Sequence, residues 1–391
     1  MRQQGYQSLF LDFDPADGIP AGRNWEREIY TRLRGCGAVI LLCSEHSMAS
    51  DWCFAEVTHA RALGKQLFPV IISPCELRPI LRDTQVIDLT IDRETGFQRL
   101  WQGMRSAGLD PADTFDWDIN RPPYPGLTPF MEKDAAVYFG REEDLRRCLD
   151  TLEQMSRYGG DRLLLMAGTS GSGKSSLVRA GVIPKLVRRP EWLVLEPLRP
   201  RREPVEALAR VVELAFAVAD HPADPQRPSE QIKGTAGDDQ ELIRAVNGLQ
   251  RAAGHEDKPV LLVIDQLEEL VTTSDEGAAR RFVALIKAAV TADAGQLFCL
   301  ATLRSDYMAT LQSHPVWQQT RFRELTLGPM TPRHFAEIIS KPAAVAGIEL
   351  EPGLVETLVQ DTGTADALSL LAFTLNRLWR EFGGDGRITL A

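Results

Sequence analysis

Nine consecutive residues, Gly168-Thr169-Ser170-Gly171-Ser172-Gly173-Lys174-Ser175-Ser176, fill every fixed position of the pattern G-x-x-x-x-G-K-[ST]. Phosphate oxygens are small, negative and rich in lone pairs, so holding them takes backbone N–H groups turned inward. The three glycines permit the sharp turns and the close approach of backbone to ligand. Lys174 then reaches the β- and γ-phosphates of ATP, or the β-phosphate of ADP, and the Ser175 hydroxyl is suited to ligate Mg²⁺. A helix beginning near Gly173 points its positive end at the same oxygens.

A second group of residues complements the first. Residues 260–264 form an apolar run that delivers one carboxylate, Asp265, about ninety residues after the loop. A strand-end aspartate of this kind holds Mg²⁺, usually through water. Gln266 takes the adjacent place where fast ATPases often carry a second acid. Orientation of a water is then left to Glu268 or Glu269, and the residues alone do not choose between them. Slow hydrolysis is the expectation.

The elements that position these groups are legible around them. Residues 163–167 have the continuous apolar character of a buried parallel strand, and Leu177, Val178, Ala180 and Val182 continue past the loop as a helix that Pro184 ends. Residues 296–303 read as another buried strand, closing on Arg304-Ser305-Asp306. Residues 219–239 are polar and proline-bearing and read as an irregular loop. From Thr331 the pattern turns helical. The first hundred or so residues alternate strand and helix patterns on their own account, with strands over 8–13, 38–43, 67–72 and 86–89. Ser50 is placed to cap the helix that follows it. Residues 110–130 are acidic and then proline-dense, the composition of a stiff spacer.

A chain of 391 residues has room for two to three domains, and 44% hydrophobic with 25% charged residues is ordinary globular composition. The net charge of −10 argues against nucleic acid as a partner, since counterion release needs a basic surface. The cluster Arg188, Arg189, Arg199, Arg201 and Arg202 reads as a pair of solvated loops. The six cysteines form no C-x-x-C pair, which fits a reducing cytoplasm. No apolar run of about 18 residues predicts a membrane span.

The N-terminal third carries a resemblance. L-F-L-D-F-D-P-A-D-G-I-P-A-G-R-N-W-E-R-E-I looks like the second strand and following loop of a TIR domain, and S-M-A-S-D-W-C-F-A-E-V resembles that family's S-x-W-C-x-x-E signature. The resemblance implies a flavodoxin-like α/β module over residues 1–109, entered at its second strand and so lacking the first, together with part of an NAD pocket. In active members the signature glutamate, here Glu56, supports cleavage of NAD, and a carboxylate suits an oxocarbenium-like transition state. The other reading of Glu56 is an exposed helix residue in a module used for TIR–TIR contacts.

After a linker over 110–135, Y-P-G-L-T-P-F-M-E-K-D-A-A-V-Y-F-G-R-E-E-D-L and D-Q-L-E-E-L resemble novel STAND NTPases, signal-transduction ATPases. The resemblance implies a P-loop NTPase core with a parallel sheet over 136–330 and an incomplete helical lid over 331–391. It sets Phe139-Gly140-Arg141 against the adenine edge and makes Arg304 a phosphate sensor, with an Arg304–Asp306 ion pair as the competing reading. D-A-L-S-L-L matches a stretch that commonly reads A-L-P-L-L, with Ser369 in place of the proline. The function implied is an ATP-dependent switch, cytoplasmic, set by a protein or ligand trigger and self-associating through both modules, as in bacterial antiphage defence. The alternative is a catalytically weak ATP-binding scaffold.

Overall fold

The computed structural model describes residues 1, 10–11, 29–30, 32–33, 36–107, 109, 115–118, 120–219, 226–233, 239–292, 296–313, 317, 320–331, 334–362, 368–383 and 386–389. It divides into two compact units, residues 1–115 and 116–391.

The first unit is built on a parallel sheet of β1 (Ala38–Cys43), β2 (Gln66–Ile71) and β3 (Ile87–Asp88), in that order. Between them run α1 (Glu45–Ala49) and α2 (Asp51–Ala62), and α3 (Arg93–Ser106) follows β3. Ser50 caps α2 by accepting from the Cys53 N–H, and Asp92 caps α3 in the same way. Alternate side chains of β2 serve opposite faces. Leu67 packs with Cys43, Val57 and Ala60, while Phe68 and Val70 pack with Leu100 and Met104. The strand expected over residues 8–13 falls almost wholly outside the described residues.

The second unit opens with a strap, residues 121–135, and α4 (Glu142–Tyr158). Then come β4 (Leu163–Gly168), the loop, and a helix in three parts. These are α5 (Lys174–Ser176), a π-helical stretch (Leu177–Val182) and α6 (Ile183–Val187). Pro184, expected to end this helix, sits inside its continuation. The wider π turns displace the usual carbonyl with which a proline ring collides.

Beyond lie β5 (Leu193–Val194), α7 (Pro204–Val218), α8 (Gln226–Lys233), α9 (Glu241–Ala252), β6 (Val260–Ile264), α10 (Glu269–Thr272), α11 (Glu276–Thr291), β7 (Leu297–Arg304), α12 (Met308–Ser313) and β8 (Arg323–Thr326). The five parallel strands take the order β5-β6-β7-β4-β8. The chain thus leaves β4 for the far edge and returns past it, and the carboxyl end of β4 is a switch point of the kind that receives ligands.

Every residue of β4 and β6 is buried, because helices cover both sheet faces. Leu163, Leu165, Val260 and Leu262 point to one core and Leu164, Met166, Leu261 and Val263 to the other. The helix α8 corrects the expectation of an irregular 219–239. Fully buried Ile232 joins the core, and Lys233 pairs with Glu206 at 2.7 Å.

The segment expected as a lid consists of α13 (Phe335–Val345), β9 (Glu349–Leu350), α14 (Leu354–Thr362), α15 (Leu368–Phe382) and β10 (Arg387–Ile388), with β9 and β10 paired in parallel. Its core includes Phe335, Ile339, Leu371 and Leu375, and also Tyr124 from the strap. The strap is not a free spacer. The Tyr124 hydroxyl donates to Ile339 O, Asn376 Nδ2 donates to Tyr124 O, and the Phe130 N–H donates to Ser176 Oγ at 3.2 Å. Residues 121–135, expected as linker, are part of the second unit.

Candidate nucleotide-binding site

Strand register gathers the site. Gly168 of β4 pairs with Arg304 of β7, and Ile264 of β6 pairs with Ala301, which brings Asp265 beside Thr302. Three adjacent strands therefore end on one edge, each with a residue of consequence.

The loop itself is shaped by backbone. Gly173 has φ +89°, a conformation that L side chains rarely adopt, and it leads directly into α5. A Cβ on Gly168 would stand 2.7 Å from Leu327 O. Lys174 Nζ donates to Gly168 O and Thr169 O, both at 2.8 Å. Burial lowers the Lys174 ammonium from its ordinary value, and the Glu268 charge partly opposes that. Ser172 Oγ is buried without a hydrogen-bond partner, an orphan that suits an incoming acceptor or donor.

Asp265, 1% exposed, is the most heavily bonded group of the site. Its Oδ1 accepts from Ser175 Oγ at 2.7 Å and Thr302 Oγ1 at 2.9 Å. Its Oδ2 accepts from Arg199 Nε and Nη2 at 3.2 Å and from Arg179 Nε at 3.5 Å. The Ser175–Asp265 contact sets two hard oxygen ligands side by side, and this donor set fits Mg²⁺. Among the described residues no three His, Cys, Asp or Glu side chains cluster as a metal cage. A cation here would draw its remaining ligands from phosphate and water.

The next residue is unusual. Gln266 has φ +63°, and its N–H donates to Thr302 Oγ1 at 2.8 Å. A non-glycine residue in this region is uncommon and tends to mark a functional turn. The two glutamates that follow have different partners. Glu268, 9% exposed, accepts from the Arg304 N–H at 3.3 Å, and burial raises its carboxyl above the ordinary value. Glu269 instead accepts from the Arg201 N–H at 2.9 Å.

A cavity of about 300 Å³ lies over the loop, lined by Ser170 to Ser176, Gln266, Glu268, Thr302 and Arg304. Its apolar end is made by Tyr138, Phe139, Met330 and Ile338, and the start of α15 closes it at Leu368 and Ser369. Ser369 is close to the loop, because a Cβ on Gly171 would stand 3.1 Å from its Oγ. An apolar end and a polar, amide-rich end suit a nucleotide's base and phosphates.

A family model described as Novel STAND NTPase 1 matches residues 123–391, which holds strap, sheet and lid together. The chain belongs to this family. A TIR domain model matches residues 1–101, so this STAND protein carries a TIR domain ahead of its NTPase, a nucleotide-dependent signalling architecture. No curated protein matches the chain. Among solved structures it is similar to the Walker-type ATPase PABY2304 of Pyrococcus abyssi, at 17% identity over 66% of this chain and 71% of that one, TM-score 0.46. It is also similar to the Aeropyrum pernix ORC2 protein in its ADPNP–ADP complexes, at 13% identity over 65% and 66%, TM-score 0.49.

The remaining expected site residues fall out unevenly in this STAND NTPase. Arg141 lines the cavity, but its guanidinium is held by Ser172 O and Gly328 O at 2.9 Å and by Asp144. It braces the loop from behind. Ser176 is taken up by the strap. Arg304 reaches the cavity yet pairs with Asp306 through Nη2 at 2.6 Å, the competing reading of that residue. Glu56 lies partly buried on α2 of the other unit. Arg199 overturns its reading as a solvated loop residue. Arg199, Arg179 and Thr302 were missed, and only Thr302, a lone hydroxyl in an apolar strand, left a sequence signal.

Proposed function

We propose that this STAND protein is an ATP-dependent switch whose nucleotide state controls self-association of its TIR domain. The observation that carries the proposal is the contact of lid and loop around one cavity, with Ser369 of α15 against Gly171. A ligand touching both would bias the lid between two positions, and a switch needs only differential affinity for two states.

In this reading Lys174 and the loop amides bind the phosphates. Ser175 and Asp265 hold Mg²⁺, which when bound shields the phosphate charge. Glu268, facing the cavity, orients the attacking water, and Glu269 serves the fold. Arg304 senses the terminal phosphate by exchanging Asp306 for it. Gln266 in place of an acid keeps hydrolysis slow, as a reset requires.

The test is oligomeric state by light scattering with ADP and with a non-hydrolysable ATP analogue. Larger assemblies with the analogue, absent in Lys174→Ala, are expected. Size that ignores nucleotide in the parent would sink the proposal. Nicotinamide release from NAD, compared with Glu56→Ala, separates a contact module from a NAD-cleaving one.

A further inference from the structure

A second depression, of about 1240 Å³, lies beside the nucleotide cavity and shares Arg199 with it. Eight cationic and four acidic side chains line it, in a chain whose net charge is −10. Part of that positive charge is already answered. Arg121 pairs with Asp134, and Arg179 and Arg199 pair with Asp265. Glu206 is in turn taken by Lys233.

What remains is a surplus. The exposed guanidinium groups of Arg202, Arg210 and Arg380 make no ion pair among the described residues, and they come from three places in the chain. Arg201 is fixed among them at φ +50°, its N–H held by Glu269 and its carbonyl by the Ser274 hydroxyl. A non-glycine residue is held there only by its surroundings, so the loop is built, not slack. The 15-residue helix α7 opens on the same depression, and Glu203 gives its first turn no side-chain cap.

We infer that this depression is a binding site for a small ligand carrying two or more phosphate groups, distinct from the P-loop. Arginine forks match phosphate oxygens. The carboxylates of Glu196 and Glu203 stand in the same wall. They repel a continuous nucleic-acid backbone but accept from hydroxyl or amino groups of a nucleotide-like molecule.

The probe is inorganic tripolyphosphate, titrated calorimetrically into Lys174→Ala protein and, separately, into Lys174→Glu protein. Both keep the P-loop out of the measurement, so failure of the P-loop assignment would not imitate failure here. Binding in both backgrounds is expected, weakened at least ~10-fold by Arg202→Gln with Arg210→Gln and weakened also by added salt. Arg380→Gln, on a different helix, repeats the test should the double variant fold poorly. No binding in either background, or binding indifferent to these substitutions, overturns the inference. So does tighter binding of a single-stranded oligonucleotide of ~20 nucleotides.

Discussion

Arg199 grips Asp265 by a single oxygen. Its Nε and Nη2 both stand 3.2 Å from Oδ2, while Oδ1 takes the hydroxyls of Ser175 and Thr302. The carboxylate proposed to serve Mg²⁺ is thus already satisfied, and a cation must displace part of this network. Arg199→Gln is expected to lower the stability of the nucleotide-free protein by about 2 kcal/mol, the usual worth of a hydrogen bond to a charged group. It should also let nucleotide bind at lower Mg²⁺ concentration. Melting curves and Mg²⁺ titrations check the pair of effects, and an unchanged Mg²⁺ requirement would count against the clamp.

Binding of Mg-ADP to the loop should raise the melting temperature. A hundredfold excess over Kd corresponds to about 2.7 kcal/mol of stabilisation. In Lys174→Ala the loop's share of that shift should be lost, because the only ammonium in the loop is gone. An equal shift in parent and variant would remove the assignment.

Hydrolysis should separate the two glutamates. Glu268→Gln is expected to lose about 10²- to 10⁴-fold in turnover, the range for a positioned acid–base group. Glu269→Gln should leave turnover close to the parent's. Parent turnover should itself fall well below the ~10 s⁻¹ median of enzymes, and Asp265→Ala should abolish it. Phosphate release measured across the four proteins gives the order directly.

The Glu268 carboxyl also predicts a pH dependence. Burial raises it in the native state above its ordinary 4.5, so the folded protein holds that proton more tightly than the unfolded chain does. Its favourable contribution is complete below about 4.5 and is lost as pH rises through the native value. Glu268→Gln should therefore melt higher than the parent at neutral pH, with the gap closing as pH falls. A gap that widens on acidification would contradict the burial argument.

Much of the fold and half of the site were legible for physical reasons. Continuous apolar runs bounded by turns announce buried parallel strands, so β4, β6 and β7 appear within a residue or so of where the pattern puts them. The loop could be read because its chemistry is local. Arg199 could not, since its role depends on Leu198 bridging to Ile264 across the sheet, and nothing in an arginine-rich stretch tells which side chain turns inward. The different surroundings of Glu268 and Glu269 depend on which backbone N–H each meets, that of Arg304 or of Arg201, and composition does not encode that. The strap looked like a spacer because proline density forbids helix and strand, yet it does not forbid a tyrosine from entering a core.

Lys174 folded back on Gly168 O and Thr169 O gives its ammonium two partners within the loop. An arriving nucleotide must out-compete those two carbonyls for one ammonium. A diphosphate or triphosphate brings oxygens of full negative charge to the place where Nζ would swing. A monophosphate leaves that place vacant, so the lysine has no reason to leave its own backbone. AMP is therefore expected to compete poorly with ADP for the loop, and a displacement titration of the two checks it.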